Sequence, residues 1–224
     1  ANKWSIAWGI AKKFINEEAN LIFTYLGEKS KANLEKFLDE EGVENPILIS
    51  CDVSTDENIE EAFDEIKEKV DVLHGVVHSI AFANKDELQG YYYDTSREGY
   101  LLAQDISAYS LVAVSRNAKP LMTEGGSIIT LSYLGAERAV TNYNVMGVAK
   151  AALEASVRYL AVDMGADNIT VNSISAGPIK TTSAKGVRGF STLLKGFEER
   201  VPMKRLVKTE EVANAALFLC SDLG

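Results

Sequence analysis

Across 224 residues, short β-rich apolar runs alternate with longer stretches whose apolar residues recur at the helical period. The runs fall at 21–25, 47–51, 72–79, 127–131 and 170–175, and the helical stretches at 5–18, 29–40, 55–69, 99–119, 143–165 and 208–221. Runs that are apolar on both faces suit the strands of a parallel sheet covered by helices on each side. Strand–helix alternation of this kind predicts an α/β fold, a doubly wound, Rossmann-like parallel sheet. Ligands then bind at the carboxyl ends of the strands, near the switch point. The first element is a helix and the last is a helix. A fold of this kind usually opens with a strand, so the sheet is expected to lack its first strand within residues 1–224. No linker or repeat divides the chain, so a single domain over 1–224 is predicted.

Composition narrows the class of function. With 46% hydrophobic residues the chain can bury one sizeable core. A net charge of −9 argues against nucleic acid as a partner. No apolar stretch is long enough to span a bilayer. The first ten residues carry one Lys and two Trp without a long apolar run, so no signal peptide is read and a cytoplasmic location is expected. Cys51 and Cys220 are too few for a disulfide framework, and neither sits in a metal-ligand cluster, so no metal is expected.

Local signals agree with the helix starts. Ser5 and Thr55 can cap helices with their hydroxyls. Thr209, followed by Glu210 and Glu211, suits another start, where acids meet the positive end of the dipole.

Candidate chemistry clusters after the strands. The segment Ala1-Asn2-Lys3-Trp4-Ser5-Ile6-Ala7-Trp8-Gly9-Ile10-Ala11 reads as the tail of a dinucleotide-binding turn or as an ordinary capped helix. After the second expected strand position, Tyr25-Leu26-Gly27 carries no charge, which favours NADH; Lys29 keeps NADPH open. Cys51-Asp52-Val53 fits either an adenine contact or a plain turn. His78-Ser79-Ile80-Ala81 offers small residues where backbone could approach a cofactor, and His78 itself reads as structural. Tyr143 and Lys150, seven apart, lie two turns along one helix face, with Gly147 between them leaving room for a ligand. Tyr133 precedes Tyr143 by ten residues, across a loop that follows the fourth β-rich run.

The stretch from Leu131 to Ala151 resembles the signature of bacterial-type enoyl-acyl-carrier-protein reductases, within the short-chain dehydrogenase/reductase superfamily. So do Ser5-Ile6-Ala7-Trp8-Gly9-Ile10-Ala11, His78-Ser79-Ile80-Ala81-Phe82-Ala83, Asp105-Ile106-Ser107 and Ile174-Ser175-Ala176-Gly177-Pro178-Ile179-Lys180-Thr181. The resemblance runs in order along essentially the whole chain, and it implies a further C-terminal strand that the sheet is expected to lack within residues 1–224. Its most specific feature is the seven-residue spacing of Tyr and Lys, where ordinary members of the superfamily have four.

The resemblance implies hydride transfer from NADH or NADPH to the β-carbon of a trans-2-enoyl thioester in fatty acid elongation. It implies that Tyr143 bonds the thioester carbonyl, that Lys150 holds the nicotinamide ribose and that Tyr133 lines the substrate site. Ser5, Ile6, Asp52, Val53, Ser79, Ile80, Leu131, Ile179 and Thr181 would contact the dinucleotide. Ala81, Phe82, Met146 and the segment after Thr181 would form the acyl pocket. A lysine near Tyr143 could favour phenolate character. A homotetramer is expected, with the helix at 99–119 as an interface.

Charge distribution adds a partner. Residues 178–208 hold eight bases (Lys180, Lys185, Arg188, Lys195, Arg200, Lys204, Arg205, Lys208) against Glu198 and Glu199, net +6 in a chain of −9. That suits docking of the acidic acyl carrier protein, with Arg188, Lys204 and Arg205 as contact candidates. Small residues at 181–189 suit a lid over the acyl pocket, with 178–208 as the substrate-side segment. The aromatic run Tyr91-Tyr92-Tyr93 suits an entry route or plain packing. A general alcohol or carbonyl dehydrogenase, or a dinucleotide sensor without turnover, are the competing readings. The tyrosine–lysine spacing and the second tyrosine argue against both.

Overall fold

Helices cover both faces of parallel strands, as the alternating pattern requires. The computed structural model describes residues 2–179, 181 and 190–224. In chain order the elements are α1 (Ile6–Asn16), β1 (Ile22–Tyr25), α2 (Glu28–Glu40), β2 (Ile47–Ser50), α3 (Asp56–Lys69), β3 (Gly75–His78), α4 (Arg97–Gln104), α5 (Ser110–Ala118), β4 (Gly126–Ser132), α6 (Asn144–Met164), β5 (Ile169–Ser175), α7 (Phe190–Arg200) and α8 (Thr209–Leu219). Every strand pairing among the described residues is parallel, β1 with β2 and β4 with both β3 and β5. The strands form two sheets, and β1 and β3 share no ladder.

The core shows why β4 reads as apolar throughout. Ile128 and Ile129 are adjacent, so their side chains leave opposite faces of the sheet. Ile128 joins Leu111, Leu153, Leu160 and Ile169 under α5 and α6. Ile129 joins Ile10, Ala213 and Ala216 under α1 and α8. Helices α1 and α2 cover the other sheet through Trp8, Leu34, Leu38 and the strand residue Phe23. A side chain at Gly9 would collide with Thr209, so glycine there lets α1 and α8 approach.

The helix starts follow their caps. The Ser5 hydroxyl accepts from the Trp8 N–H and the Thr55 hydroxyl from the Asn58 N–H. At α8 the helix starts at Thr209 with Glu210 and Glu211 in its first turn, as expected. Glu211 accepts from the Lys208 N–H at 2.8 Å. Glu211 also takes both guanidinium nitrogens of Arg205, at 2.8 and 2.6 Å, and these bonds hold its carboxyl down at about 2.

Two differences from the sequence pattern bear on the site. The expected helix at 99–119 is interrupted by a π-helical turn at Asp105–Tyr109. One cause is visible: Ser110 Oγ donates to the Ile106 carbonyl at 2.8 Å, in place of a regular backbone partner. The second difference is α7, a helix in a segment expected mainly as a lid. The lid stretch itself, at 182–189, and Lys180 lie outside the described residues.

Candidate active site

The carboxyl ends of β1, β3, β4 and β5 open on one cavity of about 790 Å³. The amino end of α1 borders it through Ser5 and Ile6, and β3 contributes the segment from Ser79 to Ala83. Leu131, Ser132 and Tyr133 enter from β4, Tyr143, Met146 and Lys150 from α6, and Ile179 and Thr181 from beyond β5. Ten of the twelve predicted cofactor and catalytic positions therefore line this cavity, Asp52 and Val53 being the two that do not, and the predicted acyl-pocket residues Ala81, Phe82 and Met146 line it too.

Asp52 and Val53 have other surroundings. The Asp52 carboxylate accepts from the Ser54 N–H at 3.0 Å, which closes a turn. Val53 packs with Ile59, Ala113 and Val114. The aromatic run is also away from the cavity wall: Tyr91 and Tyr93 stack on each other at 5.1 Å, exposed to solvent. Residues on the wall to which the sequence assigns no individual role include Trp8, Leu88 and Val140. Apolar residues such as these carry no chemical signature, so only their place in the fold identifies them.

The two tyrosines meet edge to face, with ring centroids 5.1 Å apart and planes at 71°. Burial raises the Tyr143 phenol well above its ordinary value, and Tyr133 adds to the effect. This corrects the expectation of phenolate character. The Lys150 ammonium donates to the Leu131 carbonyl at 2.7 Å, and Tyr143 stays a neutral O–H donor. Burial pulls Lys150 itself from 10.5 down to about 8, with Glu154 partly opposing. Glu154 in turn accepts from the Ser132 hydroxyl at 2.5 Å.

Gly147 also departs from expectation. A Cβ there would lie 2.9 Å from the Gly135 carbonyl oxygen, so the space between Tyr143 and Lys150 is filled by the loop after β4 and not kept for a ligand. Gly135 is constrained from the other side, since its Cβ would stand 2.5 Å from Tyr143 Cδ1. Gly135→Ala is expected to displace the Tyr143 ring and lower kcat by about 10²-fold, the scale of a misplacement near 1 Å. Steady-state kinetics beside a thermal melt checks this, because the folded state should survive.

His78 is structural, as expected. It is buried, with Nδ1 2.9 Å from Thr130 Oγ1 and Nε2 2.8 Å from Ser110 Oγ. Burial, with Lys150 adding to it, lowers its pKa to about 3, so the ring is neutral. No group of His, Cys, Asp and Glu among the described residues could hold a metal ion.

The whole chain, residues 1–224, matches the family model described as enoyl-(acyl carrier protein) reductase. The chain belongs to that family. It is 56% identical to the NADH-dependent enoyl-[acyl-carrier-protein] reductase FabI of Bacillus cereus, over all of this chain and 88% of that protein. It is equally 56% identical to the NADPH-dependent FabI of Staphylococcus aureus, again over all of this chain and 88% of that protein. The solved Bacillus cereus reductase, in complex with NADP+ and indole naphthyridinone, superposes with a TM-score of 0.97, covering 100% of this chain and 87% of that one. The Anaplasma phagocytophilum reductase with NAD superposes at 0.95 with 46% identity, covering 100% and 85%. The family reading and the Rossmann-like α/β fold thus hold over the full length.

Proposed function

We propose that the cavity carries out NAD(P)H-dependent reduction of enoyl thioesters on acyl carrier protein, with Tyr143 donating to the thioester oxygen. One observation carries this reading: a neutral buried phenol and a buried lysine stand on one helix face at the wall of the same cavity. A cavity of about 790 Å³ beside the amino end of α1 suits a dinucleotide with an acyl chain next to it. A bound reduced nicotinamide would supply hydride to the β-carbon of the substrate. Negative charge then develops on the thioester oxygen, and a preorganised O–H aimed at that oxygen stabilises the transition state more than the ground state. Lys150 holds the nicotinamide ribose hydroxyls, and Tyr133 supports the Tyr143 ring from its edge. Ser5, Ile6, Ser79, Ile80, Leu131, Ile179 and Thr181 contact the dinucleotide, with Asp52 and Val53 at its adenine end. Ala81, Phe82 and Met146 shape the acyl pocket.

NADH is the favoured reductant. The described cations on the cavity wall are Lys85 and Lys150, and neither follows β1, where a 2′-phosphate would need one. Lys29, the residue that keeps NADPH open, does not line the cavity, and Lys31 sits over the Tyr25 ring at 5.9 Å. The expected result is a kcat/KM at least about tenfold higher with NADH, the factor that about 1.4 kcal/mol of differential binding gives. Parallel titrations of the two reductants measure it, and an equal or reversed ratio contradicts it.

Carrier docking on the basic segment is part of the proposal, with Arg188, Lys204 and Arg205 as the contact candidates. Arg205 is held by Glu211, and Lys204 Nζ donates to the Glu199 carbonyl at 2.6 Å. Arg188 lies outside the described residues. A cytoplasmic homotetramer completes the reading. Exposed Leu101 on α4, with Tyr159 and Val162 on α6, supports self-association, and no described helix is long and apolar enough to cross a membrane.

A further inference from the structure

The segment His78-Ser79-Ile80-Ala81-Phe82 runs from β3 along the cavity wall without helix or strand to hold it. It is pinned at both ends by one element, the π-helical turn at Asp105–Tyr109 and the residue that follows it. At the first end, His78 Nε2 meets Ser110 Oγ at 2.8 Å, and that hydroxyl donates to the Ile106 carbonyl. At the far end, the Ser107 hydroxyl makes two bonds to one residue. It accepts from the Phe82 N–H at 2.9 Å and donates to the Phe82 carbonyl at 3.0 Å. Ser107 has no exposed surface, whereas Phe82 is 51% exposed at the cavity.

A regular α-helix turns by 100° per residue, and a single wider turn changes the direction of the side chains on it. The π-turn is therefore what the expected helix at 99–119 lacks. We infer that Ser107 is a positioning residue for the reductase reaction: by closing on both polar groups of the Phe82 backbone it fixes the wall against which the enoyl chain lies. Ser107 does not line the cavity, so it acts through Phe82 and not by touching the substrate. The inference rests on the proposed acyl-pocket role of Phe82.

A double-mutant cycle with Ser107→Ala and Phe82→Ala tests it, read by steady-state kinetics with an enoyl thioester and NADH. Ser107→Ala is expected to lower kcat/KM for the thioester about tenfold, mainly through KM, with KM for NADH within about twofold of wild type, as a loss of 1.4 kcal/mol corresponds to tenfold. With Phe82 already alanine, the added Ser107→Ala change is expected to cost less than about twofold. Ser107→Thr, which keeps the hydroxyl, is expected to recover most of the loss. Should the alanine variant not fold, Ser107→Cys offers a weaker donor of similar size for the same cycle, with a smaller expected loss. Multiplying penalties, an equal rise in KM for NADH, or no effect of Ser107→Ala overturns the inference while leaving the reductase reading intact. A wild-type protein that binds NADH but reduces no enoyl thioester overturns both.

Discussion

Tyr143→Phe is expected to lower kcat for a trans-2-enoyl thioester by roughly 10²–10³-fold, the cost of removing one donor aimed at a developing oxyanion. The ring would remain, packed edge-on against Tyr133 and bounded by Gly135, so the fold and NADH affinity should stay near those of the parent. The loss should appear in kcat and kcat/KM together, because the missing bond strengthens at the transition state. Stopped-flow or steady-state assays with saturating NADH measure it. A loss under about threefold would mean that another group serves the thioester oxygen.

Lys150→Met has the second large effect, and it separates activity from stability. Removing the ammonium removes the donors that hold the nicotinamide ribose, so kcat/KM is expected to fall by about 10²-fold or more, the scale of charge-assisted bonds. Stability should move the other way. Lys150 is 7% exposed and its folded-state pKa, about 8, lies below the 10.5 of an unfolded lysine. Between those values the unfolded chain binds more protons, so wild-type stability rises with pH across that window. Below about pH 8 the full cost of burying the charge applies, roughly 3 kcal/mol. Methionine has no such cost, so the variant is expected to melt no lower than wild type at pH 7, with the gap narrowing towards pH 10. A variant that melts several degrees lower at pH 7 would show that the bond to the Leu131 carbonyl outweighs the desolvation. In wild type, loss of the ammonium above about pH 8 should also depress activity.

Much of this arrangement was legible beforehand because it depends on period and spacing. β4 is apolar on both faces since Ile128 and Ile129 serve cores on opposite sides. Tyr143 and Lys150 share a helix face because seven residues make two turns. What was not legible depends on tertiary approach. Nothing in the sequence says that Gly147 faces the Gly135 carbonyl rather than open space. The π-turn was invisible because Asp105 to Tyr109 fits a regular helix by propensity; the hydroxyls of Ser107 and Ser110 acquire meaning only against Phe82 and His78. The phenolate expectation missed for an electrostatic reason, since burial and the neighbouring Tyr133 both push the Tyr143 phenol up, while Lys150 is itself largely desolvated.

The most direct test follows the absorbance of reduced nicotinamide when the protein meets a crotonyl or longer trans-2-enoyl thioester, on coenzyme A and on acyl carrier protein. The account expects NADH oxidation that depends on both substrates and yields the saturated thioester, with Tyr143→Phe nearly inactive in the same assay. NADH binding without oxidation by any enoyl thioester, or turnover of simple alcohols and ketones instead, would contradict it.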